Sequence, residues 1–381
     1  MLDVFERRTA ELQSRMAAAG LDWFVITDRD SIYYFTAAEN YIERIYNRPA
    51  ILIVPREGEC SLLAPFGDCP MIGAMSWVRQ VVPYKDGDAV TWDKALLDIM
   101  SAGRGPIGIE TAYDPMVVRA LAAARGRETL VDASALIEDM RLIKDAEEIR
   151  LLRQAGQVAN AMMKACRDAL REGVPEYEVS LAAIAAGTRT AAGFLTDKGP
   201  GRLASPMVTG LQVMKSGATT VLGHCRPTVH CVEAGEPIAV CLCGMLNFRN
   251  MKLAMDRPFI VGHMTSQQEA ICRTAYESQV KGIEAVRPGA TAQDVHQAAI
   301  EVIVAKGYNV SSRTGRGLGH SYFEKPQLVN GDMTVLRPGM VLAVDGNIKV
   351  PGLGVQYGDS VLVTEDGYEL LTDFASDPLI E

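Results

Sequence analysis

Two histidine-bearing segments carry the residues best suited to proton chemistry. The first, His224 to Arg257, reads HCRPTVHCVEAGEPIAVCLCGMLNFRNMKLAMDR and sets Asp256 in an apolar run. The second, GRGLGHSYFEKP at 315–326, puts His320 behind a glycine-rich turn and Glu324 shortly after it. An imidazole, with a pKa of about 6.5, can take a proton from water and return one to a leaving nitrogen. A carboxylate such as Asp256 orients that imidazole or holds a cation. Arg226, Arg257 and Arg316 are candidates to bind a substrate carboxylate bidentately, and Glu324 is a candidate late acid. Each has a plainer structural reading: a satisfied core histidine, an Asp256–Arg257 ion pair, or a surface charge at Glu324. His230 and Lys252 are balanced between the two, and His263 and His296 read as structural or exposed.

Cys241 and Cys243 form C-x-C, which puts both on one face of a strand. A structural zinc site needs a second such element, and the sequence has none. The eight cysteines therefore read as buried free thiols of a cytoplasmic protein.

These segments need a scaffold of strands and helices. At 381 residues the chain suits two domains. Short apolar runs at Trp23–Ile26, Ala50–Val54, Cys60–Ala64, 106–110 and Thr129–Val131 predict strands. Helical periodicity over 5–19, Asp93–Ala102 and Pro115–Ala124 alternates with them, which predicts an α/β domain over residues 1–137. Residues 138–381 form the second domain, entered through a long helix with Asp145 as N-cap and Gly173 as stop.

That second domain contains an apparent repeat. ALREGVPEYEVSLAAI (169–184) and AVRPGATAQDVHQAAI (285–300) each end a helix at a glycine, turn, and open another helix. Two such halves predict a pseudo-twofold architecture with a site between them. The net charge of −9 argues against nucleic acid or an anionic membrane as partner. No apolar run reaches the roughly 18 residues of a membrane span, and the charged, amphipathic N-terminus does not read as a signal peptide. A small molecule remains the expected partner.

The layout resembles the creatinase / prolidase / methionine aminopeptidase superfamily over essentially the whole chain. The resemblance rests on RLIKDAEEIRLLRQAG, GHCRP (223–227), EAGEPIAV (233–240), DRPFIVG (256–262), GRGLGH (315–320) and LRPGMVLAVD followed by GDSVLVTEDG. It implies an N-terminal creatinase-like α/β domain and a C-terminal α+β domain of the pita-bread fold. Metallopeptidases of this kind hold two metals through two Asp, one His and two Glu. Matched one by one, those positions fall on Cys241, on 252–254 (Lys-Leu-Ala), on His320, on Asp345 and on Gly358. The resemblance therefore implies no metal and no cofactor, and points to the branch of creatinase and ectoine hydrolase.

Within that branch the match gives His224 as proton shuttle, with Asp256 and His320 as its catalytic partners. Tyr357 or Gly358 stands where creatinase has a glutamate before its last strand. Tyr357 is counted with Arg226, Arg257, Arg316 and Glu324 among the substrate-binding candidates. A basic residue of a neighbouring subunit's N-domain loop, Arg48 or else Arg44, is the further candidate, which implies a homodimer. The expected function is metal-independent hydrolysis of a non-peptide C–N bond in a small creatine- or ectoine-like zwitterion. Alternatives are a metal-dependent Xaa-Pro dipeptidase with atypical ligands and a non-catalytic pita-bread binding module.

Overall fold

A computed structural model of the chain describes residues 3–38, 48–85, 87, 91–208, 213–242 and 247–381. It divides into two compact units, Met1–Met140 with Asp197–Leu203, and Arg141–Thr196 with Ala204–Glu381. The break expected at 137/138 and the division at 140/141 both fall within the helix Ser134–Arg141.

The first unit runs α1 (Asp3–Ala18), β1 (Trp23–Ile26), α2 (Arg29–Thr36), β2 (Ile51–Pro55), β3 (Ser61–Pro65) and α3 (Cys69–Met75). It continues with β4 (Gln80–Tyr84), α4 (Trp92–Ile99), β5 (Ile107–Ile109), α5 (Pro115–Arg125), β6 (Leu130–Asp132) and α6 (Ser134–Arg141). Its strands align in the order β4-β3-β2-β1-β5-β6. Successive side chains of a strand point to opposite faces. Phe24, Ile26, Leu52 and Val54 thus pack on one side, and Trp23, Val25, Ile51 and Ile53 on the other. Both faces are covered, which is why these strands read as unbroken apolar runs.

The second unit begins with α7 (Ala146–Ala169), α8 (Glu176–Ala192), β7 (Val213–Ser216), β8 (Pro237–Cys241), β9 (Asn247–Phe248), β10 (Met251–Lys252) and β11 (Asp256–Val261). Then come α9 (Ser266–Glu284), α10 (Ala292–Ala305), β12 (Arg313–Gly317), β13 (Glu324–Val329), β14 (Val341–Val350), β15 (Leu353–Val363), β16 (Tyr368–Leu370) and β17 (Leu379–Ile380). Its main sheet has the order β13-β12-β14-β15-β11-β8-β7, with β16 on β15 and β17 on β11. Asp145 caps α7 as expected, and Glu148 returns the favour to the Asp145 amide in a capping box. The helix itself stops at Ala169, ahead of the expected Gly173.

Gly173 does its work in the turn that follows, where its φ of 80° matches the 86° of Gly289. The repeat is visible in the hydrogen bonds that follow these two glycines. The amides of Gly173 and Glu176 donate to the carbonyls of Val232 and His230; those of Gly289 and Ala292 donate to Leu336 and Thr334. Isolated bridges Pro175–Cys231 and Thr291–Val335 complete the correspondence. Each half thus clamps the entry of its second helix to the segment leading into a central strand, β8 in one half and β14 in the other.

Among the described residues the cysteines are free. Cys60, Cys166 and Cys272 are buried, and burial pushes each thiol up to about 12. The expectation of buried thiols fails at Cys231, which is exposed, and at Cys69, Cys225 and Cys241, which are half-buried. Cys243 lies outside the described residues.

Candidate active site

A cavity of about 640 Å³ opens on the second unit, a size that suits a small molecule. Alternating positions build it. Asp345, Asn347 and Lys349 project from β14, Gly354 and Gln356 belong to β15, and Ala239 and Cys241 to β8. A register shift between Arg313 and Arg316 lets β12 contribute both guanidinium-bearing residues.

At the floor, two acids meet over a glycine. Gly358 is the ladder partner of Asp256 on one side and of Asp345 on the other. A Cβ at Gly358 would sit 2.4 Å from Asp256 Oδ2 and 2.7 Å from Asp345 Oδ1. No side chain fits there while both carboxylates keep their places. Both acids are buried, and burial raises both carboxyls. Asp345 is pushed up to about 7 by burial and then by the Asp256 charge, while Arg316 pulls the other way on both. The Asp345 carboxyl therefore keeps its proton up to the neutral range, beside a second acid whose carboxyl is raised as well. Asp256 is further hydrogen-bonded by Cys241 and Gln356, and Asn347 Nδ2 donates to Gln356 Oε1 at 2.6 Å. Among the described residues Asp345 Oδ1 is buried without a hydrogen-bond partner.

His224 stands on the exposed rim. The turn carrying it is pinned from below, because Lys215 Nζ donates to the carbonyls of Leu222 and Gly223. The preceding 3₁₀ turn, Gly217–Val221, is pressed on β15, where the Gly354 amide donates to Thr220 Oγ1 at 3.0 Å. A Cβ at Gly354 would lie 2.3 Å from the Thr220 carbonyl oxygen, so only glycine permits that approach.

The structure redistributes the other candidates. His320 does not line the cavity: it is buried, its Nε2 2.6 Å from Glu148 Oε1, and its carbonyl accepts from Lys252 Nζ. The side chain that β12 and its following loop present to the acid pair is that of Arg316, two glycines upstream, whose Nε donates to the Tyr322 carbonyl at 2.6 Å. Glu324 is committed to Lys144 at 2.6 Å and to the Ser321 amide. Burial raises its carboxyl, yet Lys144, His320 and Arg141 outweigh that and hold it below the ordinary range. Arg257 grips Asp359 through two contacts of 3.0 Å and donates to the carbonyls of Asp256, Gly358 and Phe374, so it braces the strands. Tyr357 is buried and donates to the Ser376 carbonyl. Arg226 lines a separate, smaller cavity with His230 and Glu236. Arg48 is partly buried in the first unit, and Arg44 lies outside the described residues.

Lys215, Arg313 and Lys349 were not among the sequence candidates, and Asp345 entered there only as the counterpart of a metal ligand. The available signal was parity: Asp345, Asn347 and Lys349 alternate along one strand, and alternation fixes a shared face.

A model of metallopeptidase family M24 matches residues 150–365. The chain belongs to that family. A second model, the creatinase/prolidase N-terminal domain, matches residues 8–143. This M24 chain is 29% identical to the agropine synthesis cyclase of Rhizobium rhizogenes over 98% of its length and 96% of the relative's. It is 25% identical to a creatinase of a Bacillus species, covering 98% and 91%. It is also 25% identical to an Xaa-Pro dipeptidase of Pyrococcus horikoshii, covering 97% and 98%. The fold is that of the Pyrococcus horikoshii prolidase structure, with a TM-score of 0.81 at 22% identity over 98% and 99% of the two chains. The two-domain creatinase-like and pita-bread architecture is thereby established, and the family is one of hydrolases.

The metal ions in the family's name do not suit this donor set. Gly358 offers no ligand, Cys241 is hydrogen-bonded to Asp256, and Arg316 brings a permanent positive charge to the acid pair. Among the described residues no group of three or more His, Cys, Asp or Glu side chains is placed to hold a metal. Among them, too, no helix is long and apolar enough to cross a membrane.

Proposed function

We propose that the chain hydrolyses a non-peptide C–N bond of a small, creatine- or ectoine-like molecule without a metal, using the Asp256–Asp345 pair. The observation that carries this reading is the shared contact of both carboxylates over Gly358, with Arg316 alongside. The ionised member of the pair accepts a proton from water as its oxygen attacks carbon, forming the C–O bond. The protonated member gives its proton to nitrogen as the C–N bond breaks. Arg316 stabilises the negative charge that builds on oxygen. His224, on the rim, exchanges the pair's proton with solvent. The creatinase relative supports the reaction class.

The same reading includes a cytoplasmic homodimer in which the loop bearing Arg48 reaches the neighbouring cavity. The test is a hydrolysis screen of small zwitterions in the presence of a chelator, run on the wild type and on Asp345→Asn. Turnover that survives the chelator and falls about 10²–10⁴-fold in the variant is expected. Activity that appears only with manganese, on a proline dipeptide, would overturn it.

The cyclase relative, matched along nearly the whole chain, favours a second reading. A hydroxyl or amine of the substrate itself would replace water, and the same pair would close a ring. Product analysis separates the two, since ring closure expels a small fragment without incorporating solvent oxygen.

A further inference from the structure

The charge of the cavity wall is out of balance. Among the described residues four cations line it, Lys215, Arg313, Arg316 and Lys349, against two acids, Asp256 and Asp345. Even with both acids ionised the wall is positive, in a chain whose net charge is −9. The cations are not evenly spread. Lys215 is buried and directed at two backbone carbonyls, and Arg316 sits by the acids. Arg313 and Lys349 are exposed, on β12 and on the far end of β14. Phe323, itself exposed, stacks under both guanidinium groups, 4.8 Å from Arg313 and 4.6 Å from Arg316. A stacked guanidinium keeps its in-plane N–H fork available for a carboxylate. A neutral zwitterion of creatine type would leave that outer pair unsatisfied. At the floor, Asp345 Oδ1, buried with no hydrogen-bond partner among the described residues, asks for a donor such as an N–H.

We propose that the substrate is a small N-substituted dicarboxylate of net negative charge, with its C–N bond at the Asp256–Asp345 floor and its outer carboxylate held by Arg313 and Lys349. This rests on the hydrolase reading for the position of the C–N bond; the charge preference stands on the cavity wall alone and replaces the creatine-type zwitterion of that reading with an anion. Arg313 and Lys349 are thus specificity residues.

Calorimetric titration of the wild type with glutarate, butyrate and glycine betaine tests it, together with the Arg313→Gln/Lys349→Gln double variant. Glutarate should bind at least about tenfold tighter than betaine, and lose about tenfold in the double variant while butyrate changes little. Raising the salt should weaken glutarate most. Betaine binding as tightly as glutarate, or glutarate affinity unchanged by the double variant, would overturn the inference. Should the variant fold poorly, the ranking of the three probes on wild type decides alone. The two readings fail separately. Glutarate preference without turnover of N-carbamoylglutamate removes the hydrolase and leaves the charge preference. Turnover of creatine with no preference for glutarate does the reverse.

Discussion

Asp256 and Asp345 are register partners of the same glycine, on the two strands that flank β15, so the sheet ladder itself sets their separation. The proton that Asp345 keeps is therefore a property of the fold, and it should be visible in stability. Unfolded, Asp345 titrates near 3.8; folded, it titrates at about 7, because of burial first and the Asp256 charge second. Between those values the folded chain holds a proton that the unfolded chain has released. Stability must then fall as pH rises across that window. Relative to Asp345→Asn, the wild type should lose melting temperature from about pH 4 to about pH 7, and the gap should level off above. Parallel melting curves for the two proteins would mean that Asp345 keeps no proton in this window.

Gly358→Ala should disable the enzyme without unfolding it. The new methyl would fall on the two carboxylate oxygens, and prising them apart should cost about 1–3 kcal/mol in stability. A loss of kcat of about 10²-fold or more is expected, with the circular dichroism spectrum unchanged. Full activity would mean that the acids need not meet.

Lys215→Met removes the two donations that pin the His224 turn. Leu222 and Gly223 are exposed, so water can reach the carbonyls left behind and the cost should be only about 0.5–1.5 kcal/mol. If Lys215 acts by positioning His224, then Lys215→Met, His224→Ala and the double variant should lose activity to a similar degree, short of additivity. Additive losses would assign Lys215 a separate role.

Glu148 is shared between the α7 capping box and His320. Glutamine preserves a capping box and alanine does not. In urea titrations Glu148→Ala should therefore cost about 3–5 kcal/mol, and Glu148→Gln distinctly less. Equal costs would mean that the cap contributes nothing.

The sequence makes some of this legible because the signals are local. The Asp145 cap, the paired glycine turns at Gly173 and Gly289, and the apolar strands of the first unit all follow from neighbours in the chain. Asp256 stood out as an acid in an apolar run, and it does line the cavity. What stayed hidden depends on which strand lies beside which. That Arg316 and not His320 faces the acids follows from the end of β12, where glycines at 315 and 317 allow β14 and the 324–325 carbonyls to close in. That Arg257 is structural follows from Asp359, a residue on another strand.

The paired ladders have a consequence for the cavity floor. Stepping on by the same number of residues from Val232 and from Leu336, the two ladder partners, leads to Cys241 in one half and Asp345 in the other. Equivalent places thus carry a thiol on one side of Asp256 and an acid beyond Gly358 on the other. The floor is asymmetric where the backbone plan repeats. On the proposed mechanism a substrate laid across it meets its proton donor from one side only, so of two poses related by the pseudo-twofold rotation just one should react, and the preference for it is written in side chains that an architecture of two like halves leaves free to differ.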